Sequence, residues 1–106
     1  MNNSSDEIMD VPSTKMVPTI KQVLRRRFGS DTKFYVRSQR RGTMITVSWI
    51  GGPSVKAVRD EVRIFDGAEF DGNTDTWLRR PVAFGHGLVQ WGANYISCDR
   101  MRPTDM

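Results

Sequence analysis

The sequence predicts an α+β domain of element order α-β-β-α-β, in which two helices cover one face of a three-stranded antiparallel sheet. Three observations carry this. Two stretches repeat apolar residues at helical spacing. Two others alternate apolar with polar residues across a linker of hairpin length. One further β-type run closes the chain.

The first helix is expected over residues 16–28. Ile20, Val23, Leu24 and Phe28 share one face, Ser13 or Thr14 is placed to cap it, Pro18 is tolerated in a first turn, and Gly29 stops it. Residues 33–38 then alternate, with Phe34 and Val36 on one side and Tyr35 and Arg37 on the other. Residues 43–49 do the same, setting Ile45, Val47 and Trp49 against Thr46 and Ser48. Between the two runs, Gln39-Arg40-Arg41-Gly42 puts a glycine where a tight hairpin needs a positive φ. Gly51-Gly52-Pro53 makes a turn, and a second helix follows over residues 54–65. Its stripe is Val55, Val58, Val62 and Phe65, and Ser54 is its N-cap. Residues 66–80 are acidic and turn-rich. Residues 81–92, with Gly85, Gly87 and Gly92, are expected as a long loop, and residues 93–100 as the third strand. Residues 1–14 are expected as a flexible acidic tail, 15–102 as the single domain, and 103–106 as a frayed end.

A chain of 106 residues leaves room for one domain, and its three Trp, five Phe and two Tyr supply a modest core. Its one cysteine, Cys98, rules out an intrachain disulfide, and four-cysteine zinc patterns with it. No apolar run approaches a membrane span, and the acidic start lacks the basic and apolar regions of a signal peptide. These features are expected of a protein of a reducing cytoplasm. The net charge of +4 is unevenly spread. Residues 15–41 hold nine bases against one acid, while residues 42–78 hold three bases against six acids. Such a dipolar surface suits a polyanionic or acidic partner on its basic half.

Within the basic block, Arg25, Arg26, Arg37, Arg40 and Arg41 are the candidate phosphate ligands, because guanidinium groups pair bidentately with phosphate. Tyr35 lies on the same strand face as Arg37 and is positioned to stack a base. Contact with DNA or RNA, docking of an acidic protein, and a merely solvated basic face all remain open readings of this block. Asp71-Gly72-Asn73-Thr74-Asp75 has the outline of a calcium loop, but Thr76 and Val82 stand where that loop needs Gly and Glu. No metal and no cofactor is expected. His86 and Cys98 would form a nucleophile pair only if the fold brought them together, and Cys98 in a strand reads as a small buried hydrophobe. No enzyme is expected. Trp49 reads as core. Trp77 and Trp91, in or near loops, read as core cover or as anchors for a partner.

Several motifs resemble one family. They are Val36-Arg37-Ser38, the run Val47-Ser48-Trp49-Ile50-Gly51-Gly52-Pro53-Ser54, the segment from Phe65-Asp66-Gly67 through Phe70-Asp71-Gly72-Asn73-Thr74-Asp75, and Trp91-Gly92-Ala93-Asn94-Tyr95-Ile96 followed by Arg100. Over residues 17 to 102 the chain resembles the large polyvalent protein-associated domain 29. The resemblance implies a setting in phages and conjugative elements. Domains of this kind occur there in multi-part proteins and as small stand-alone proteins, and the larger proteins are thought to protect incoming DNA from host defences. It also implies that Asp71, Gly72 and Asp75 form a structural turn. It supplies no catalytic residues.

Two functions follow as expectations. One is a nucleic-acid-binding accessory protein of a mobile element, acting through its arginine-rich first half. The other is an inhibitor or adaptor that blocks a host defence complex of restriction or CRISPR type, with Asp66, Glu69, Asp71 and Asp75 imitating phosphates or Trp77 and Trp91 serving as anchors. A homodimer through exposed Trp residues or a free sheet edge is also open.

Overall fold

The computed structural model describes residues 8–102. The chain runs β1 (Ile8–Val11), α1 (Ser13–Phe28), β2 (Tyr35–Gln39), β3 (Met44–Ile50), α2 (Val55–Val62), β4 (Ala68–Asp71), β5 (Thr76–Arg79), β6 (Val82–Phe84), β7 (Gly87–Trp91) and β8 (Tyr95–Met101). Single 3-10 turns lie at Arg40–Gly42 and Arg63–Phe65. The strands form three small sheets, ordered β2-β3-β8, β1-β7-β6 and β4-β5. The α+β class holds, but there are eight strands among the described residues where three were expected.

The central sheet is β2-β3-β8. Its first pair is the expected antiparallel hairpin, with Tyr35 opposite Ser48 and Gln39 opposite Met44. The expectation of a wholly antiparallel sheet fails at β8, which runs parallel to β3 and pairs Met44 with Tyr95 and Ile50 with Met101. Alternation marks a strand without giving its direction. The direction here follows from the connection, since parallel neighbours need a long crossover, and α2 with the whole β4–β7 region supplies one.

Both helices pack on the inner face of this sheet. Met16, Ile20 and Leu24 of α1 and Val58 and Val62 of α2 share one buried cluster with Ile45, Val47, Trp49 and Ile96. Trp49 is fully buried, and its indole N–H donates to the Pro53 carbonyl at 2.9 Å. Ser54 caps α2 as expected, its hydroxyl accepting from the Ala57 N–H at 3.1 Å. The regular helix ends at Val62, and the last expected turn is the 3-10 turn Arg63–Phe65. α1 starts earlier than expected, at Ser13, after an extended Pro12 and with no side-chain cap. Pro18 therefore lies inside the helix, where its missing N–H removes one ladder bond. The Ser13 hydroxyl bonds instead to that of Ser38 at 2.9 Å, tying α1 to β2.

Two segments depart further. Ile8–Val11, expected as part of a tail, is a strand parallel to β7; residues 1–7 and 103–106 lie outside the described residues. Residues 81–92, expected as a loop, are the hairpin β6–β7. Its glycines masked an alternation that buries Val89 and Trp91 and packs Val82 and Phe84 against the core. Phe65, Phe84 and Trp91 stack there with ring centroids 4.9 to 5.7 Å apart. Gly67 joins this layer to the central sheet. Its N–H donates to the Ala93 carbonyl at 2.8 Å, and its own carbonyl accepts from the Arg80 N–H and the Gln90 side chain. A Cβ at Gly67 would collide with the carbonyl oxygens of Trp91 and Ala93, so only glycine fits.

Candidate functional site

The period-two alternation that buries Ile45, Val47 and Trp49 turns every second residue of the same strands outward. The register sets these outward residues in rows across the sheet. Gln39, Met44 and Tyr95 make one row, Arg37, Thr46 and Ser97 the next, and Tyr35, Ser48 and Asp99 the third. Both helices lie on the other side, so among the described residues the face is open. Tyr35 is 42% exposed and Tyr95 is 40% exposed. A shallow cavity of about 430 Å³ runs over the face, lined by Tyr35, Arg37, Gln39, Thr46, Ser48, Ile50 and Met101. Its chemistry is the phenol ring of Tyr35, a guanidinium and a row of hydroxyl and amide groups, one pair of which is already bonded, Thr46 to Gln39 at 2.9 Å.

The hairpin tip stands at one end of the face. Arg40 and Arg41 have φ of 52° and 57°, followed by Gly42 at 87°. Gly42 meets the positive-φ requirement read from the sequence. The two arginines adopt the left-handed region without the benefit of being glycine, a conformation that costs a residue with a Cβ about 1–2 kcal/mol. The Arg40 carbonyl accepts from both the Thr43 hydroxyl at 2.8 Å and the Thr43 N–H at 3.2 Å, which locks the strained turn. Both side chains are exposed.

Beyond the Tyr95 row lies the β4–β5 ribbon. Phe70 and Trp77 face each other across it in edge geometry, with centroids 5.3 Å apart, and are 49% and 47% exposed. Tyr95 is held from inside. Asp66, only 6% exposed, accepts from the Ile96 N–H at 3.0 Å and from the Arg59 guanidinium, and that guanidinium lies 4.6 Å from the centre of the Tyr95 ring. Burial works against the Arg59 charge, but the bond to Asp66 and the nearby Tyr95 outweigh it and hold its pKa above the ordinary guanidinium value. A cleft of about 480 Å³ opens between ribbon and sheet, with Phe70, Trp77, Tyr95, Arg63, Arg80 and Glu69 in its wall.

The structure thus brings Tyr35, Arg37, Arg40 and Arg41 to one face and its rim. It separates Arg25 and Arg26 from them. Those two lie on the exposed side of α1, on the helix side of the sheet, where Arg25 borders a cavity with Lys21 and Lys33. The basic block of the sequence is therefore two surfaces. Trp77 is exposed beside the site, whereas Trp91 is 3% exposed and belongs to the core, which corrects its reading as a partner anchor. Asp66 is buried and paired, which removes it from the acidic surface expected to imitate phosphates. The Asp71 carboxylate is turned onto its own turn, accepting from the Asn73 N–H at 3.0 Å and the Thr74 hydroxyl at 3.0 Å. His86 borders an apolar cavity with Ile8, Met9 and Leu88, while Cys98 sits on the inner face of β8, its thiol pKa pushed up to about 11 by burial. Sequence reasoning missed Tyr95, Phe70, Arg63 and Arg80. Tyr95 was within reach, because it is out of phase with Ile96 in the strand alternation. The others required the ribbon's position.

The family model of the large polyvalent protein associated domain 29 matches residues 11–103, and the chain belongs to that family, a setting of phages and other mobile elements. No curated protein and no solved structure matches the chain significantly. The motifs that resemble the family mostly build the scaffold. Trp49 closes on Pro53, Asp66 and Gly67 join the layers, Asp71 closes the ribbon turn, and Arg100 donates to the Gly51 and Gly52 carbonyls at 3.1 and 3.4 Å.

Proposed function

We propose that this member of the family is a non-enzymatic accessory protein of a mobile genetic element that binds single-stranded nucleic acid on the open face of β2-β3-β8, in the cytoplasm of a bacterial host. The observation that carries the reading is that face itself. Exposed Tyr35 and Arg37 stand two residues apart on one strand, pointing to the same side, uncovered by any described part of the chain, and Tyr95 marks the edge of that face. Aromatic rings on a sheet stack unpaired bases with little regard to sequence, and arginines at the rim hold the backbone. The strained tip supports the same reading, since backbone strain persists where a side chain must be placed for a task. Among the described residues no helix is long and apolar enough to cross a membrane.

The test is to titrate isotope-labelled protein with a short oligothymidylate and follow the amide resonances. Shifts concentrated at Tyr35, Arg37, Thr46 and Ser97 are expected. Shifts confined to the α1 surface around Arg25 and Arg26 would place binding on the other basic surface and refute the assignment. One observation favours a second reading, a protein that blocks a host defence complex: the exposed Phe70–Trp77 pair is the kind of aromatic anchor that dominates protein interfaces. Capture of one host defence complex, lost on Trp77→Ala and unaffected by Tyr35→Ala, would decide for it.

A further inference from the structure

The cleft beside the β4–β5 ribbon has more construction than a partner-free surface needs. It continues past Trp77 and Tyr95 into a second hollow of about 320 Å³ whose far wall holds Arg40 of the hairpin tip. The two hollows share those two rings, and each has the size of a small-molecule pocket. Arg40, Arg63 and Arg80 border the combined cleft, and none of the three makes an ion pair among the described residues. Asp66 in its wall is committed to Arg59 and the Ile96 N–H, which leaves Glu69 as the one uncommitted carboxylate there. The cleft is thus net cationic. Trp77 is braced edge-on by Phe70, and Tyr95 by the half-buried Arg59 guanidinium that Asp66 holds.

We infer that this cleft is a nucleotide pocket. It takes one unstacked base between Trp77 and Tyr95, with the attached phosphate toward Arg63 and Arg80. The inference rests on the nucleic-acid reading above for its ligand class and adds to it a second, separate subsite where a strand end or a flipped-out nucleotide is held. Stacked aromatics alone would suit a peptide as well. Three guanidiniums around them without a direct ion pair among the described residues favour an anionic aromatic ligand.

The probe is adenosine 5′-monophosphate against ribose 5-phosphate, which carries the phosphate without the base. Trp49 and Trp91 are buried, so quenching of intrinsic fluorescence reports on Trp77. The nucleotide is expected to quench saturably and the sugar phosphate not to. By calorimetry, Trp77→Ala and Tyr95→Ala should each weaken nucleotide binding roughly tenfold, the scale of one base stacked on an aromatic ring. Trp77→Phe should retain most of it and guards against a folding artefact. Arg63→Glu should weaken the nucleotide without changing the circular dichroism spectrum. Equal binding of the two probes, or folded Trp77→Ala and Tyr95→Ala proteins that bind the nucleotide as the wild type does, would overturn the pocket. So would tighter binding of an acidic, phenylalanine-bearing peptide than of the nucleotide. Oligothymidylate binding lost on Tyr35→Ala or Arg37→Ala reports the sheet face alone. The pocket can therefore fail while the sheet reading stands, and the reverse.

Discussion

The two faces of the central sheet are made by the same strands, yet neighbouring residues do opposite work. Ile45, Val47 and Trp49 are fully buried under the helices, while Thr46 and Ser48 between them look out through an open face. The inner face accounts for why the chain folds. The outer face contributes little to that, and its exposed Tyr35, its arginine and the strained tip at its end are unexplained by stability. What the fold does not need is where the function should be sought.

The sharpest way to break this contrast is to cut into each face separately. Trp49→Ala on the inner face should cost about 3–5 kcal/mol, the usual penalty for emptying a large buried site, and also orphans the Pro53 carbonyl. Tyr35→Ala on the outer face should change stability by about 0.5 kcal/mol or less while removing nucleic-acid affinity. Urea denaturation of both variants measures the difference, and comparable losses would mean that the outer face is structural after all. Asp66→Ala should come behind Trp49→Ala, by about 2–3 kcal/mol, because it leaves the half-buried Arg59 charge and the buried Ile96 N–H without their partner. It should also weaken any ligand that depends on Tyr95.

A smaller effect of opposite sign sharpens the comparison at the hairpin tip. Arg41→Gly relieves a left-handed residue and should stabilise the protein by about 1 kcal/mol, seen as a rise in melting temperature, while lowering nucleic-acid affinity. A tip that gains stability and keeps its affinity would show that the strain has no functional purpose. The smallest effect concerns Cys98 on the inner face. Its folded pKa lies above the usual thiol value, so the folded state favours the protonated form. Any stability contributed is therefore present below the ordinary thiol pKa and is lost as pH rises toward 11. Alkylation by iodoacetamide should accordingly be slow near pH 8 in native protein and fast in urea.

The helices and the first hairpin were legible because their signals are local. Ile20, Leu24, Val58 and Val62 repeat at helical spacing, and Phe34 through Trp49 alternate around a glycine-bearing linker. Other features depend on distant partners. β8 is parallel because a long crossover returns it beside β3, and Ile8–Val11 is a strand because β7 lies next to it. Composition hid the β6–β7 hairpin, since its glycines read as loop. The candidate site was half visible for the same reason. Tyr35 and Arg37 share a strand and were found together. Arg25 and Arg26 are close to them in sequence but lie across the sheet, and Tyr95 and Trp77 are far away in sequence but adjacent to the face.

The central claim is tested most directly by fluorescence anisotropy of a labelled single-stranded oligonucleotide, measured from about 50 to 200 mM salt. Three backbone contacts, from Arg37, Arg40 and Arg41, should give a log–log salt slope of roughly −2 and a loss of about twentyfold over that range. Reversing Arg40 and Arg41 to Glu should flatten the slope to roughly −0.7 and abolish most of the binding, while reversing Arg25 and Arg26 should do much less. Absence of binding at the lowest salt, or equal sensitivity to both pairs of reversals, would contradict the assignment of nucleic acid to the open face.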